Sequence, residues 1–236
     1  PGLSILVFAF SRDALEKAIG NRVGQCVMTC PTTACYSGLP RGEKAISVGG
    51  RLRYFGDGWQ ISKRIGGRRY WRIPVMDGEF LCEETFGTVK GVAGGNIIVM
   101  GTAPAATLAA AESAVAAMRR SGDVILPFPG GIARSGSKVG SKYKSLRAST
   151  NTAFAPTLRG VVATEMPQGA RCAYEMVIDG LDLEAVERAT AAGLHALEMK
   201  PTGVTLITAG NYGGKLGPFH IRLRDVLTRY PRPESD

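Results

Sequence analysis

"NIIVMGTAPAATLAAAESAVAAMRRSGDVILPF", residues 96–128, carries a strand, a helix and a returning strand in one stretch. Ile97–Met100 is a short apolar run bounded by Gly101, which predicts a strand. Pro104 suits a first helical turn, where its missing N–H would go unused. Leu108, Ala111, Val115 and Met118 then recur on one face of an Ala-rich helix, and "DVILPF" returns as a strand. The same order repeats further on. "CAYEMVI" (172–178) predicts a strand, a helix starts at about Asp182 with Leu183, Val186, Thr190, Leu194 and Leu197 on one face, and "VTLIT" (204–208) predicts a strand. "PFHIRLR" (218–224) predicts a last strand, with Phe219, Ile221 and Leu223 on one face and His220, Arg222 and Arg224 on the other. Short strands joined by helices of four to five turns predict an α+β sandwich of ferredoxin-like type.

Toward the N-terminus the pattern is less regular. "SILVFAF" (4–10) followed by "SRDALEKAIGNRVG" (11–24) predicts a strand over Leu3–Phe10, then a helix capped by Ser11 with Leu15, Ala18, Ile19, Arg22 and Val23 at helical spacing. Residues 41–95 hold short segments and many glycines. In "RLRYFGDGWQISKRIGGRRYWRIPVMDGEF" (51–80) the alternation around "GDG" and "GG" predicts hairpins of a twisted antiparallel sheet. The fold class is therefore α+β, two related ferredoxin-like lobes with antiparallel sheets, divided as 1–80 and 81–236. Because the sequence starts with Pro1 and opens inside an expected strand, the first lobe is expected to be incomplete and the chain a fragment or a processed product. "RYPRPESD" (229–236) reads as a solvated tail.

The sequence has 236 residues, 44% hydrophobic and 21% charged, enough for two compact lobes and unlike a disordered composition. No apolar run approaches the roughly 18–20 residues needed to cross a bilayer, so no membrane association is expected. The formal net charge of +9 attracts nucleic acid, anionic surfaces or polyanionic small molecules without choosing among them. The five cysteines, at 26, 30, 35, 82 and 172, are an odd number without a secretory leader, which predicts reduced thiols in the cytoplasm. No histidine lies near "CVMTCPTTAC" (26–35), so no metal site is expected, and buried, apolar-behaving cysteines are the reading adopted.

Three features point to chemistry. "ILPFPGGIARSGSKVGSKYKSLRAST" (125–150) leaves a strand and interleaves Gly130, Gly131, Gly136 and Gly140 with Arg134, Ser137, Lys138, Lys142, Lys144 and Arg147. Unhindered backbone N–H groups among cations make an anion cradle; a solvated surface loop has the same composition. "TAGNYGGKLGPFH" (208–220) is a second such loop, with Gly210, Gly213, Gly214, Gly217 and Lys215. Glu175 shares a face with Ala173 and Val177 in an otherwise apolar strand; if that face is covered, loss of solvent raises its pKa and makes it a candidate general acid or base, and if it is not, Glu175 is an edge acid paired to an arginine. Aromatic and basic residues mix in 54–80, where Trp59, Tyr70 and Trp71 suit either RNA stacking or sheet packing. His195 lies on a helix and reads as a surface or capping residue, and nothing resembles a Ser/His/Asp arrangement.

Together "GQCVMTCPTTA", "LRYFGDGWQISK", "WRIPVMDGEF", "ETFGTVKGVAGGN", "PFPGGIARSGSKVGSKY", "RASTNTAFAPTLR", "YEMVIDGL" and "ITAGNYGGKLG" resemble the formylmethanofuran:tetrahydromethanopterin formyltransferase family over nearly the whole chain. The resemblance implies two α+β lobes, a proximal one matching 1–80 and a distal one matching 81–236, in a homo-oligomer, usually a tetramer. It implies transfer of a formyl group between two co-substrates, tetrahydromethanopterin and a methanofuran-type carrier, with no metal. The basic, Ala/Arg-rich composition is similar to the form in bacteria that oxidise one-carbon compounds, a subunit of a formyltransferase/hydrolase complex in which the formyl group passes to the methanofuran-type carrier and is hydrolysed by a partner. By the same resemblance the family's catalytic glutamate falls at Glu175, and the acidic carrier tails meet Gly130, Gly131, Ser137, Lys138, Lys142, Gly213, Gly214 and Lys215. A noncatalytic scaffold of such a complex and a basic RNA-binding module are the alternatives.

Overall fold

The computed structural model describes residues 2–40, 44–199, 203–210 and 217–232. It divides into two compact units, 1–90 and 91–236. The division falls at Lys90/Gly91 and not at 80/81 because the first unit's strands continue past residue 80 and end only after Phe86.

In the first unit Ser11 caps α1 (Arg12–Arg22), its hydroxyl accepting the Ala14 N–H at 3.2 Å, and the helix runs on through a wide turn at Val23–Val27. The stripe Leu15, Ile19 and Val23 packs on Ile46, Val48, Trp71, Ile73, Phe80 and Cys82. Then follow β1 (Ala34–Cys35), β2 (Ile46–Ser47), α2 (Gly49–Leu52), β3 (Ile61–Ile65), β4 (Arg68–Val75), β5 (Gly78–Glu83) and β6 (Thr85–Phe86). The main sheet has the order β1-β5-β4-β3, with β1 parallel to β5 and the rest antiparallel, while β2 and β6 pair separately. The expected hairpin at Gly66-Gly67 is present, both residues having positive φ (54° and 74°) as a two-residue turn demands. "GDG" is not a hairpin: Asp57, left-handed at φ 50°, ends a 3₁₀ turn over Arg53–Gly56. Pro74 is tolerated in β4 because the pairing with β3 stops at Arg72.

Two further expectations are corrected. Leu3–Phe10 forms no strand, and Leu3 and Phe10 stand exposed (90% and 102%). An apolar run becomes a strand only where a neighbour takes its backbone N–H and C=O groups, and among the described residues no strand pairs with it. The cysteines are not uniformly buried either. Cys82 and Cys172 are buried and Cys35 half-buried, but Cys26 and Cys30 are exposed, since the helix spends its inward face on Leu15, Ile19 and Val23.

The second unit contains β7 (Val92–Gly101), α3 (Pro104–Arg120), β8 (Val124–Ile125), the small hairpin β9 (Lys138–Val139) and β10 (Ala148–Ser149), β11 (Cys172–Gly180), α4 (Leu183–Glu198), β12 (Val204–Thr208) and α5 (Leu223–Arg229). Its sheet has the order β12-β7-β11-β8, antiparallel throughout, so two β-α-β units interleave in the ferredoxin-like manner. Asp182 starts α4 by accepting the Ala185 N–H at 2.7 Å. Both long helices lie on one face of the sheet. Ile97, Val99, Met176 and Ile178 pack there against Ala110, Ala111, Ala114, Val115 and Met118 of α3 and Val186, Ala189, Leu194 and Leu197 of α4. The opposite face carries Ile98 and Met100, covered by Met166, Ala170 and Phe154 from the long segment between β8 and β11. This second covering decides where the site lies.

The strand expected over 218–224 is also corrected. Residues 217–222 are irregular and α5 begins at Leu223. Leu223, Val226 and Leu227 recur at helical spacing, with Val226 buried and the two leucines against the core, so a helical stripe outcompetes the alternation seen in 219–224. Arg229 and Glu187 join α5 to α4 by an ion pair, and His195 Nε2 lies 2.9 Å from the Tyr230 carbonyl, which makes His195 a tie between helices. Among the described residues no helix is long and apolar enough to cross a membrane.

Two glycines give opposite tests. A Cβ at Gly20, inside α1, meets nothing within 4 Å, so Gly20→Ala is expected to raise stability by about 0.5–1 kcal/mol. A Cβ at Gly101 would stand 2.5 Å from the Gly203 carbonyl oxygen and 2.0 Å from Thr107 Oγ1, so Gly101→Ala is expected to cost about 1–3 kcal/mol. Thermal unfolding midpoints of the two variants should move in opposite directions.

Candidate active site

β11 is hydrogen-bonded on both sides at the residue the sequence singles out. Glu175 lies opposite Ile98 of β7, and on its other side exchanges backbone hydrogen bonds with Ala133, the Ala133 N–H donating at 2.7 Å and the Glu175 N–H at 2.9 Å. The alternation of β11 puts Met176 and Ile178 under the helices, so Ala173, Glu175, Val177 and Asp179 face the other way, toward the side of Ile98 and Met100. The Glu175 side chain is half-buried there.

Burial pushes the Glu175 carboxyl above the ordinary carboxylate range, and a hydrogen bond from Asn96 partly offsets this. Asn96 Nδ2 donates to Glu175 Oε1 at 3.0 Å, and Asn96 Oδ1 accepts the Gly210 N–H at 2.8 Å. Asp179, on the same face, is likewise raised by burial and accepts the Gly94 N–H at 3.0 Å. Neither Asn96 nor Asp179 stands out in the sequence. The available signal is parity: Asn96 is two residues before Ile98, and Asp179 four after Glu175, in strands whose alternate residues share a face.

The first glycine-lysine loop reaches this place through Ala133. Gly130 is exposed at φ 65°, while Gly131 is buried at φ 86°, where a Cβ would lie 2.8 Å from Val115 Cγ1. Gly131 thus serves the packing of the turn on α3. Ser137 is exposed. Lys138, half-buried in β9, donates from Nζ to Thr152 Oγ1 at 2.8 Å, and Lys142 is exposed between β9 and β10. Of the second loop, Gly213, Gly214 and Lys215 lie outside the described residues, but Gly210 before them is tied to Asn96. The structure therefore brings an edge of each loop to Glu175, one through the Ala133 backbone and the other through the Asn96 amide.

The aromatic residues weighed as an RNA platform separate. Trp71 is buried against Arg53 and Arg69, whose guanidinium carbons lie 4.6 and 5.9 Å from its ring, and Tyr70 packs edge-on to Tyr36. Of the three, Trp59 alone is largely exposed (80%). The described residues contain no group of three or more His, Cys, Asp or Glu placed to hold a metal ion. What the site offers is a carboxyl held by a core strand, partly shielded from water, with one oxygen bonded to an amide.

Comparison with known proteins places the chain. Residues 1–75 match a family model described as formylmethanofuran-tetrahydromethanopterin formyltransferase, and residues 78–226 match one described as its proximal lobe, the part that the resemblance implies to be distal. The chain is 54% identical to the formylmethanofuran–tetrahydromethanopterin formyltransferase of Methylococcus capsulatus, over 96% of this chain and 76% of that protein. It is 48% identical to a subunit of the formyltransferase/hydrolase complex of Methylorubrum extorquens, over 97% of this chain and 76% of that one. Among solved structures, a chain of the formyltransferase/hydrolase complex of Methylorubrum extorquens with methylofuran superposes with a TM-score of 0.88 at 47% identity, covering 92% of this chain and 73% of that chain. The Methanosarcina barkeri formyltransferase gives 0.85 at 44% identity, covering 92% and 74%. The chain belongs to the formylmethanofuran–tetrahydromethanopterin formyltransferase family.

Proposed function

We propose that this chain is an N-formyltransferase moving a formyl group between tetrahydromethanopterin and a methanofuran-type carrier, with Glu175 as its proton carrier. The observation that supports the reading is the half-buried Glu175 carboxyl, raised by burial, whose backbone is bonded to Ala133 and whose side chain is bonded to Asn96, the partner of Gly210. An amine of one carrier attacks the formamide carbon of the other, and a tetrahedral oxyanion forms. One proton leaves the attacking nitrogen and one must reach the departing nitrogen before the C–N bond breaks. A single carboxyl can take the first proton and return it to the second nitrogen, and a pKa above the ordinary carboxylate value brings it closer to working pH.

The remaining assignments support binding. Gly130, Gly131, Ser137, Lys138 and Lys142 of the first loop and Gly213, Gly214 and Lys215 of the second are the residues assigned to the acidic tails of the carriers. The chain works in the cytoplasm, assembles with itself as a homotetramer, and joins further subunits of a formyltransferase/hydrolase complex, as the name of its Methylorubrum extorquens relative suggests. It needs neither nucleic acid nor membrane.

Glu175→Gln keeps the shape and the Asn96 contact but cannot exchange a proton. Turnover should fall about 10²- to 10⁴-fold with carrier affinity retained. Acting as base, Glu175 must be ionised, so wild-type turnover should decline as pH drops through its raised pKa, and the variant should lose that limb. Stability depends on pH in the opposite direction. A carboxyl whose pKa is raised on folding holds its proton longer in the native state, so its contribution is greatest below the unfolded value of about 4.5 and is lost as pH rises through the folded one. The glutamine variant should therefore melt no lower than wild type at neutral pH. Near-normal turnover across pH would return Glu175 to a structural role.

Replacing Lys138 and Lys142 together with Ala tests the cradle. Carrier affinity at low salt is expected to fall, and the difference from wild type to shrink as ionic strength rises and screens the pair. An affinity equal to wild type at low salt would leave these lysines as solvated surface charges.

A further inference from the structure

We infer that Asn96 is a positioning residue that commits one oxygen of Glu175, Oε1, to a fixed hydrogen bond, leaves Oε2 as the oxygen that exchanges the proton, and links this choice to the segment entering the second glycine loop. The inference rests on the reading of Glu175 as proton carrier, and its ground is the pair of bonds made by one amide. The Gly210 N–H can only donate, so the Asn96 atom it meets at 2.8 Å must be the carbonyl oxygen. That choice fixes the amide's orientation, and the group turned to Glu175 Oε1 at 3.0 Å must then be the NH₂, a donor. A donor against a carboxyl favours the ionised form and occupies the oxygen it touches.

Among the described residues no other arrangement on this face supplies the same contact. β7 presents Asn96, Ile98 and Met100 there, and β11 presents Ala173, Val177 and Asp179 beside Glu175. Thr208 of β12 lies opposite Ile98, and Ala133 is the residue bridged to Glu175 on its other side. Among the described residues, the titratable or charged groups on this face and in the segments against it include Asp179, four residues along the same strand, Arg134 and Lys138 in the segment following Ala133, and, in the covering segment, Glu165 next to Met166 and Arg159, whose guanidinium donates to the Ala170 carbonyl at 2.9 Å. Lys138 is engaged with Thr152 and Asp179 with Gly94. Glu175 is raised by burial and lowered by Asn96 alone. Because the amide also holds Gly210, a carrier bound beside Gly210 would hold the amide in the orientation that donates to Glu175.

Two substitutions separate these roles. Asn96→Ala loses both bonds, so the Glu175 pKa should rise by about one unit, a tenfold change in its ionisation constant, and KM for the carriers should rise with Gly210 released. Asn96→Asp keeps an acceptor for the Gly210 N–H and places a second acid against Glu175, so its pKa should rise further while KM stays near wild type. The direct readout is the ¹³C titration of the Glu175 side-chain carboxyl in labelled protein, assigned by its loss in Glu175→Gln, beside the pH dependence of kcat. The order wild type, Ala, Asp in titration midpoint, with KM raised in Ala alone, supports the inference. Midpoints equal to wild type in both variants overturn it, whatever the effect on rate, because a merely structural Asn96 would change stability without moving that midpoint. Failure of the proton-carrier reading looks different: Glu175→Gln then keeps its turnover, and the ¹³C midpoints still decide whether Asn96 governs the carboxyl.

Discussion

The second unit is organised by hydrogen bonding on both edges of β11. Along its length β11 pairs with β7, and on its other side it meets β8 near one end and Ala133 near the middle. Between Ile125 and Ala133 the chain leaves the sheet, turns through Pro129–Gly131 and returns, so the ladder is interrupted and then resumed at Glu175. That return fixes the start of the long inserted segment and turns its next residues, Arg134 to Lys138, away from the core. The same two bonds satisfy the Glu175 backbone, which lets a strand carry an acidic side chain through a covered region without an unpaired N–H or C=O.

The two faces of this sheet do different work. Under the helices, alanines and Gly193 admit close approach, and the face holds no carboxylate, lysine, arginine or histidine from β7 or β11. The other face is covered by Met166, Ala170 and Phe154, a thinner layer that leaves Glu175 half-buried. A carboxyl under the helices would face a steep desolvation cost, and one in open water would keep an ordinary pKa. The intermediate cover raises its pKa while still leaving the side chain partly exposed. Asn96 opposes the shift with one hydrogen bond, so the acidity of Glu175 reflects a balance between an inserted segment and a strand amide.

Much of this could be read from the residues. The ferredoxin-like order followed from two successive strand-helix-strand patterns, and Glu175 stood out because a carboxylate broke an apolar alternation. Where the reading failed, partners outside the local stretch decided. Leu3–Phe10 has strand composition but no paired neighbour among the described residues, and 218–224 alternates like a strand, yet from Leu223 on the chain offers Leu223, Val226 and Leu227 as a helix beside α4. Gly131 looked like part of an anion cradle and is also a packing contact against Val115. Asn96 was invisible because its importance comes from two long-range contacts, to Glu175 and to Gly210, that no periodicity reports.

Precision and reach are divided between strand and loop in this arrangement. A β-strand bonded on both sides holds a side chain within a narrow range of positions, which proton transfer to a defined nitrogen requires. Flexible charged carriers with long tails need the opposite, a surface of N–H groups and cations that tolerates some variation in where an anion rests. Here the strands β7 and β11 hold Asn96 and Glu175, while the glycine-rich segments begin at the hydrogen bonds to Ala133 and Gly210. Each loop is thus anchored within one or two residue contacts of the carboxyl. In the proposed function, energy gained by binding a carrier tail reaches Glu175 through those anchors, and of the two, Asn96 is the one whose side chain touches the carboxyl.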